Sequence, residues 1–267
     1  MTRRGLTLIE LIITLVIFGI LGTALARLMI SNSRFVGRQE AQLEARQTAR
    51  AAMHVITAEL RLVSDGGVRA AAAESVTVRI PYVFGVLCRN ATGAVTPADS
   101  VISASAVQGG IAWRLVSGSY AFDEAVTMST GGTASDCTAD SIKVVPGGGR
   151  VTLSRSGIAP PGTVFYIFQR VTYKFAASAQ LPGRLGLWRQ VGGGAAEEIL
   201  SPFGTATRFA FLTGTRLLVQ TAPPPLNQIQ GLELRLVGES ERPPNGAATP
   251  TQYVLMPRVK FVNRVIQ

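Results

Sequence analysis

From Leu6 to Ile30 the chain reads LTLIELIITLVIFGILGTALARLMI. As a helix rising about 1.5 Å per residue, this run is about 37 Å long, more than the ~30 Å of a bilayer's hydrocarbon core. Arg3 and Arg4 precede it. The positive-inside bias therefore holds the N-terminus in the cytoplasm and exports the rest of the chain.

Glu10 sits near the start of this run. At the centre of a membrane helix an acidic residue costs roughly 2.5 to 3.5 kcal/mol on insertion scales, so an idle carboxylate would be expensive. A physical use exists if a neighbouring subunit presents a freed α-amino group at the same depth. Pairing the two charges would reward correct stacking of helices, making Glu10 a register device for assembly. Three readings compete. A secretory signal would use Ala24-Leu25-Ala26 as its cleavage site, but the apolar run exceeds the usual ~7 to 15 residues and carries an acid. A plain membrane anchor explains the length and leaves Glu10 unexplained.

The third reading accounts for every feature. The stretch Gly5-Leu6-Thr7-Leu8-Ile9-Glu10-Leu11-Ile12, behind a short basic leader ending in Gly, resembles the type IV prepilin motif. The resemblance implies cleavage between Gly5 and Leu6 by a prepilin peptidase, N-methylation of Leu6, and use of Glu10 in assembly. It also implies other pilin or pseudopilin subunits, an inner-membrane assembly platform and membrane lipid as partners. The family usually has Phe after the cleavage point, where this chain has Leu6.

Beyond Ile30, Ser31 to about Val63 holds no Pro and is rich in good helix formers. Ala41, Ala45, Ala49, Ala52, Met53, Ile56, Leu60 and Val63 recur at three- and four-residue steps and draw one apolar stripe that should face a sheet. The end is expected near Ser64-Asp65-Gly66-Gly67, with two glycines supplying a left-handed cap. Gly19 and Gly22 are the expected points of loosening.

After Gly67 the texture changes to short apolar runs between Gly, Pro, Ser and Thr clusters. Strands are expected at 76–80, 82–86, 111–116, 141–145, 163–169, 171–175, 185–188, 207–212, 229–236, 253–256 and 259–262. Val171, Tyr173 and Phe175, and likewise Leu232, Leu234 and Leu236, alternate with polar neighbours and should line buried faces. Long irregular stretches run over 90–110, 117–140, 221–228 and 239–251.

The layout divides into a leader, 1–5, a membrane or filament-core helix, 6–30, its amphipathic continuation, 31–65, and a β-rich head, 66–267. This is an α+β chain that resembles the pilin fold, a long N-terminal helix packed on an antiparallel sheet. More weakly, ARAAMHVITAELR from Ala49 to Arg61, LGLWR from Leu185 to Arg189 and the large head look like PilW-type minor pilins and the J-type minor pseudopilins of type II secretion. The function this implies is that of a minor filament subunit at the inner membrane and then in a pilus or pseudopilus.

The two cysteines, Cys88 and Cys137, have no CxxC spacing and only one histidine, His54, to join them, which argues against zinc. In an exported head they are read as a disulfide, the alternative being two separate buried thiols. The net charge is +10; without Arg3 and Arg4 it is 24 − 16 = +8. Such a surface attracts DNA or anionic polymers, but the arginines are scattered, with no basic run or aromatic interleaving. A head that binds DNA stands as a second reading.

Enzyme signatures do not emerge. A single histidine cannot build a triad or a paired metal site. Gly147-Gly148-Gly149 and Gly192-Gly193-Gly194 lack the following Lys-Ser or Lys-Thr of a phosphate loop. Asp136 and Asp140 flank Cys137 and could hold calcium only with loop carbonyls. Trp113 and Trp188 read as core residues of strands. No catalytic residue, cofactor or metal is expected.

Overall fold

The computed structural model describes residues 8–95, 109–131, 134–143, 149–214 and 216–261. One helix, α1 (Leu8–Leu60), leads into an antiparallel β head, giving the α+β architecture expected of a pilin-like chain.

At 53 residues α1 is about 80 Å long. It passes Gly19 and Gly22 without interruption, where loosening was expected. Each glycine costs about 1 kcal/mol relative to Ala, less than breaking a cooperative hydrogen-bonded ladder in mid-run. The helix stops at Leu60, short of the expected Ser64–Gly67 terminus. Leu62 N–H donates to Glu59 O at 3.0 Å and Val63 N–H to Leu60 O at 3.2 Å, so the last turn tightens. The cause is burial: Val63 and Ser64 are both wholly enclosed, and the chain must turn inward to place them. Of the two glycines only Gly66 is left-handed, with φ 72°.

The head contains β1 (Val68–Ala71), β2 (Ser75–Leu87), β3 (Thr92–Val95), β4 (Gly109–Arg114), β5 (Tyr120–Asp123) and β6 (Met128–Thr130). A short helix, α2 (Ala134–Ala139), precedes β7 (Gly149–Leu153), β8 (Val164–Ala177), β9 (Leu185–Val191) and β10 (Ala196–Phe203). The chain closes with β11 (Arg208–Thr213), β12 (Leu218–Gln220), β13 (Ile229–Glu239), β14 (Gln252–Leu255) and β15 (Arg258–Lys260). Among the described residues the strand order is β12-β11-β13-β10-β9-β8-β2-β3-β7-β6; off this path β1 pairs with β2, β4 with β8 and β5, and β14 and β15 with β13.

The long pair β2–β8 is the spine, in register from Ser75 opposite Lys174 to Val86 opposite Val164. Pro81 divides the sequence into two apparent strands, but a register shift between Pro81 and Val83 absorbs it and the strand continues. β8 likewise runs through the expected break near Arg170, pairing with β4 over its first half and β9 over its second. The expected strand at 141–145 is absent from its described part: residues 141–143 are turn and coil after α2, and 144–145 lie outside the described residues.

Among the described residues, the two largest cores are built on this spine. The larger joins Ala49, Ala52, Ile56 and Leu60 of α1 to the inward residues of the neighbouring strands, including Val171, Tyr173, Phe175, Phe209 and Phe211. The alternating positions Leu232, Leu234 and Leu236 point into it, as their alternation predicts. The second lies farther along β2 and β8, where Val83, Leu87, Val151, Phe165 and Ile167 pack away from the helix.

Candidate functional site

From Leu8 to Glu40 no residue of α1 is buried; burial begins at Ala41. Leu8 is 80% exposed and Phe18 78%, with apolar side chains bare on every side of the rod. In water such a surface is a liability, since large contiguous apolar patches mark membrane or protein contacts. This part of α1 is long and apolar enough to cross a membrane. Both threonine hydroxyls of its described apolar run are self-satisfied: Thr14 Oγ1 donates to Glu10 O at 2.7 Å, and Thr23 Oγ1 to Ile20 O at 2.8 Å. That suits a medium without water.

Glu10 lies in the first described turn, its residue exposed among these apolar neighbours. An acid there complements the positive end of the helix dipole. Gly5 and Leu6 lie outside the described residues.

The other half of α1 is fastened to the head. At Gly238 an added Cβ would lie 2.2 Å from Ala45 O and 3.0 Å from Ala49 N, so helix and β13 touch backbone to backbone. Small residues on both elements are required. Glu44 Oε1 accepts a hydrogen bond from Glu241 N–H at 3.2 Å. Farther along, Glu59 accepts the Tyr173 hydroxyl proton in a short hydrogen bond and Arg189 at 2.8 Å. Burial raises the Tyr173 pKa, and the adjacent Glu59 carboxylate raises it further.

The described ion pairs engage much of the head's arginine with carboxylates. Arg69, Arg79 and Arg170 gather around Glu124. Burial alone would raise its pKa, but the Arg79 hydrogen bonds and the three cationic charges bring it below the ordinary value. Arg235 and Arg258 clasp Glu233 at 3.0 and 2.8 Å, and Arg184 pairs with Glu239.

At the far end of the head Cys88, just past β2, is joined to Cys137 in α2. The two acids considered as calcium ligands are turned to another use. Asp136 accepts from Thr92 Oγ1 at 2.9 Å and Asn90 Nδ2 at 3.2 Å. Asp140 accepts from the Arg89 backbone N–H at 2.8 Å and its guanidinium at 2.7 Å. They cap the turn from β2 into β3, where Asn90 and Ala91 both have positive φ. Among the described residues no group of three or more His, Cys, Asp or Glu could hold a metal ion.

His54 is exposed on α1. Gly192–Gly194 form the β9–β10 turn, while Gly149 opens β7 and Gly147 and Gly148 lie outside the described residues. Trp113 packs against the second core, as expected of a strand residue. Trp188 instead stands opposite Lys174 and Glu198, half-buried, at the position alternate to the core residue Leu187.

Sequence reading missed Gly238, because a close approach between helix and strand leaves no local signature. It singled out Asp136 and Asp140, the carboxylates that hold the disulfide turn, but weighed them as calcium ligands and not as caps.

The family model of the prokaryotic N-terminal methylation motif matches residues 1–26. That match supports a type IV pilin-like or pseudopilin precursor and, with it, general association with pilin subunits and prepilin peptidase. It covers 26 of 267 residues and leaves the head unmatched. No curated protein and no solved structure matches the chain.

Proposed function

We propose that this chain is a minor subunit of a type IV pilus or a related secretion filament, cleaved between Gly5 and Leu6, methylated on Leu6 and assembled through α1. The observation that carries the reading is one continuous helix, bare and apolar over its first half and bonded into a folded head over its second. A subunit of this shape can wait in the cytoplasmic membrane and then exchange lipid for the helices of its neighbours without refolding its head. Glu10 neutralises a neighbour's terminal amine, which favours stacked over solitary helices. The Cys88–Cys137 bond suits a head exported to an oxidising compartment, with the N-terminus left in the cytoplasm.

The discriminating measurement is N-terminal peptide mass spectrometry on protein from native membranes. A first residue Leu6 bearing an added methyl is expected. A start at Arg27 would instead make Ala24-Leu25-Ala26 a signal cleavage site, and retention of Met1 would leave a plain anchor. Glu10→Ala should be cleaved normally yet recovered in sheared filaments at a small fraction of the unaltered level; normal incorporation would refute the pairing role.

A further inference from the structure

On the reading that α1 spans the membrane with the head exported, three arginines stand where positive-inside bias depletes them. Arg27 lies in the last turn of the apolar run and Arg34 and Arg38 just after it, all at the exported end, against Arg3 and Arg4 before it. Their placement therefore calls for a local cause. At about 100° per residue, Arg34 and Arg38 fall about 20° to either side of Arg27, so all three share one face. The acids Glu40 and Glu44 fall about 140° and 100° away. The three arginines, with Ile30, Ser31 and Phe35, line one shallow open hollow. None of the three has an ion pair among the described residues.

Depth settles what meets this face. With Ile30 at the hydrocarbon boundary, Arg34 lies about 6 Å and Arg38 about 12 Å beyond it along the axis. The headgroup layer on each side is about 5 to 8 Å thick, so Arg34 lies within it, and Arg38, about 4 Å outside, reaches back into it because helical side chains lean toward the N-terminus. Arg27, about 4 Å below the boundary, reaches the same layer by snorkelling. The head comes down to this level too: a Cβ on Gly246 would lie 3.5 Å from Arg34 Nε, and one on Gly37 would lie 3.9 Å from Asn245 N.

We propose that Arg27, Arg34 and Arg38 form a binding face for the phosphate groups of anionic phospholipids in the outer leaflet of the cytoplasmic membrane. This face holds the unassembled subunit upright, with its head loop 242–246 against the headgroups. Guanidinium forks suit phosphate oxygens, and continuity with the apolar span fixes the occupant as lipid.

The test reconstitutes the full chain in nanodiscs of phosphatidylcholine and phosphatidylglycerol in equal parts. Electron spin resonance of spin-labelled lipids then measures which lipid the protein immobilises. Phosphatidylglycerol should be favoured by about fivefold per engaged arginine, a preference that weakens with salt. R34Q/R38Q, altered ahead of the buried part of α1, should bring that preference close to that of Arg27 alone. Equal immobilisation of both lipids by the inserted unaltered chain, or an unchanged preference in R34Q/R38Q, overturns the proposal. So does loss of the preference on adding inorganic phosphate at matched ionic strength, which would make this a soluble-anion site. A chain that does not co-elute with the nanodisc at all sinks the spanning reading itself.

Discussion

The two halves of α1 are one continuous rod placed in two different surroundings. Over 8–40 apolar side chains point in every direction and none of them is buried by the described residues; over 41–60 Ala41, Ala45, Ala49, Ala52, Ile56 and Leu60 form a narrow buried stripe. A helix that is apolar all round is made for lipid or for other helices, and one with a stripe is made for a sheet. The head's stability should therefore depend on the second half and be nearly indifferent to the first.

That contrast can be sharpened by asking how much of the head's stability lies far from α1. In the chain-entropy model, closing the loop between Cys88 and Cys137, 49 residues apart in sequence, contributes about 4 kcal/mol. C88S/C137S should lose about that much in denaturant unfolding of the full chain in detergent. A loss under about 1 kcal/mol would place nearly all the stability in the helix-packed core.

The most direct attempt to break the comparison is a matched pair. Ile56 is wholly buried, and Ile56→Ala should cost about 2 to 5 kcal/mol. Ile13, on the bare half, is 53% exposed, and Ile13→Ala should change head unfolding by no more than about 0.5 kcal/mol. Equal losses would mean that the two halves do not differ in what they stabilise. Gly238→Ala forces a methyl against Ala45 O and should cost about 1 to 3 kcal/mol in the same assay. Its unfolding transition should drop while membrane retention stays intact.

The smallest expected effect is a dependence on acidity confined to the head. Burial works to raise the Glu233 pKa, but hydrogen bonds from Arg258 and Arg235 hold it lower than the ordinary value of 4.5. A folded pKa below the unfolded one means stability fully present above about pH 4.5 and lost as pH falls through the folded value. Glu233→Gln should flatten that acid slope in a pH series of thermal melts; an unchanged slope would assign it to other carboxylates.

Much of this architecture was legible because it rests on local periodicity. The apolar run, the stripe at three- and four-residue steps and the alternation at 171–175 and 232–236 each report a face that must be buried or bare, whatever the rest of the chain does. What escaped was mostly short and held from a distance, the eight-residue β10 being the exception. β3, β5, β6 and α2 lie in stretches read as irregular loops, since each has only three to six residues and takes its stability from strands, carboxylates or a disulfide far away in sequence. The turn into β3 shows why: Ala91 occupies a left-handed position where Gly would have announced a hairpin.

The candidate site divides along the same line. Residues 1–26 carry their motif in adjacent letters, so Gly5, Leu6 and Glu10 could be singled out from sequence alone, along with a rod long enough to span a membrane. Tertiary structure decided where the rod ceases to be bare, because that depends on Gly238 meeting Ala45 and on Glu59 meeting Tyr173 and Arg189, contacts between residues more than a hundred positions apart. Sequence periodicity records which side of an element is apolar; only the folded chain supplies the surface that side meets.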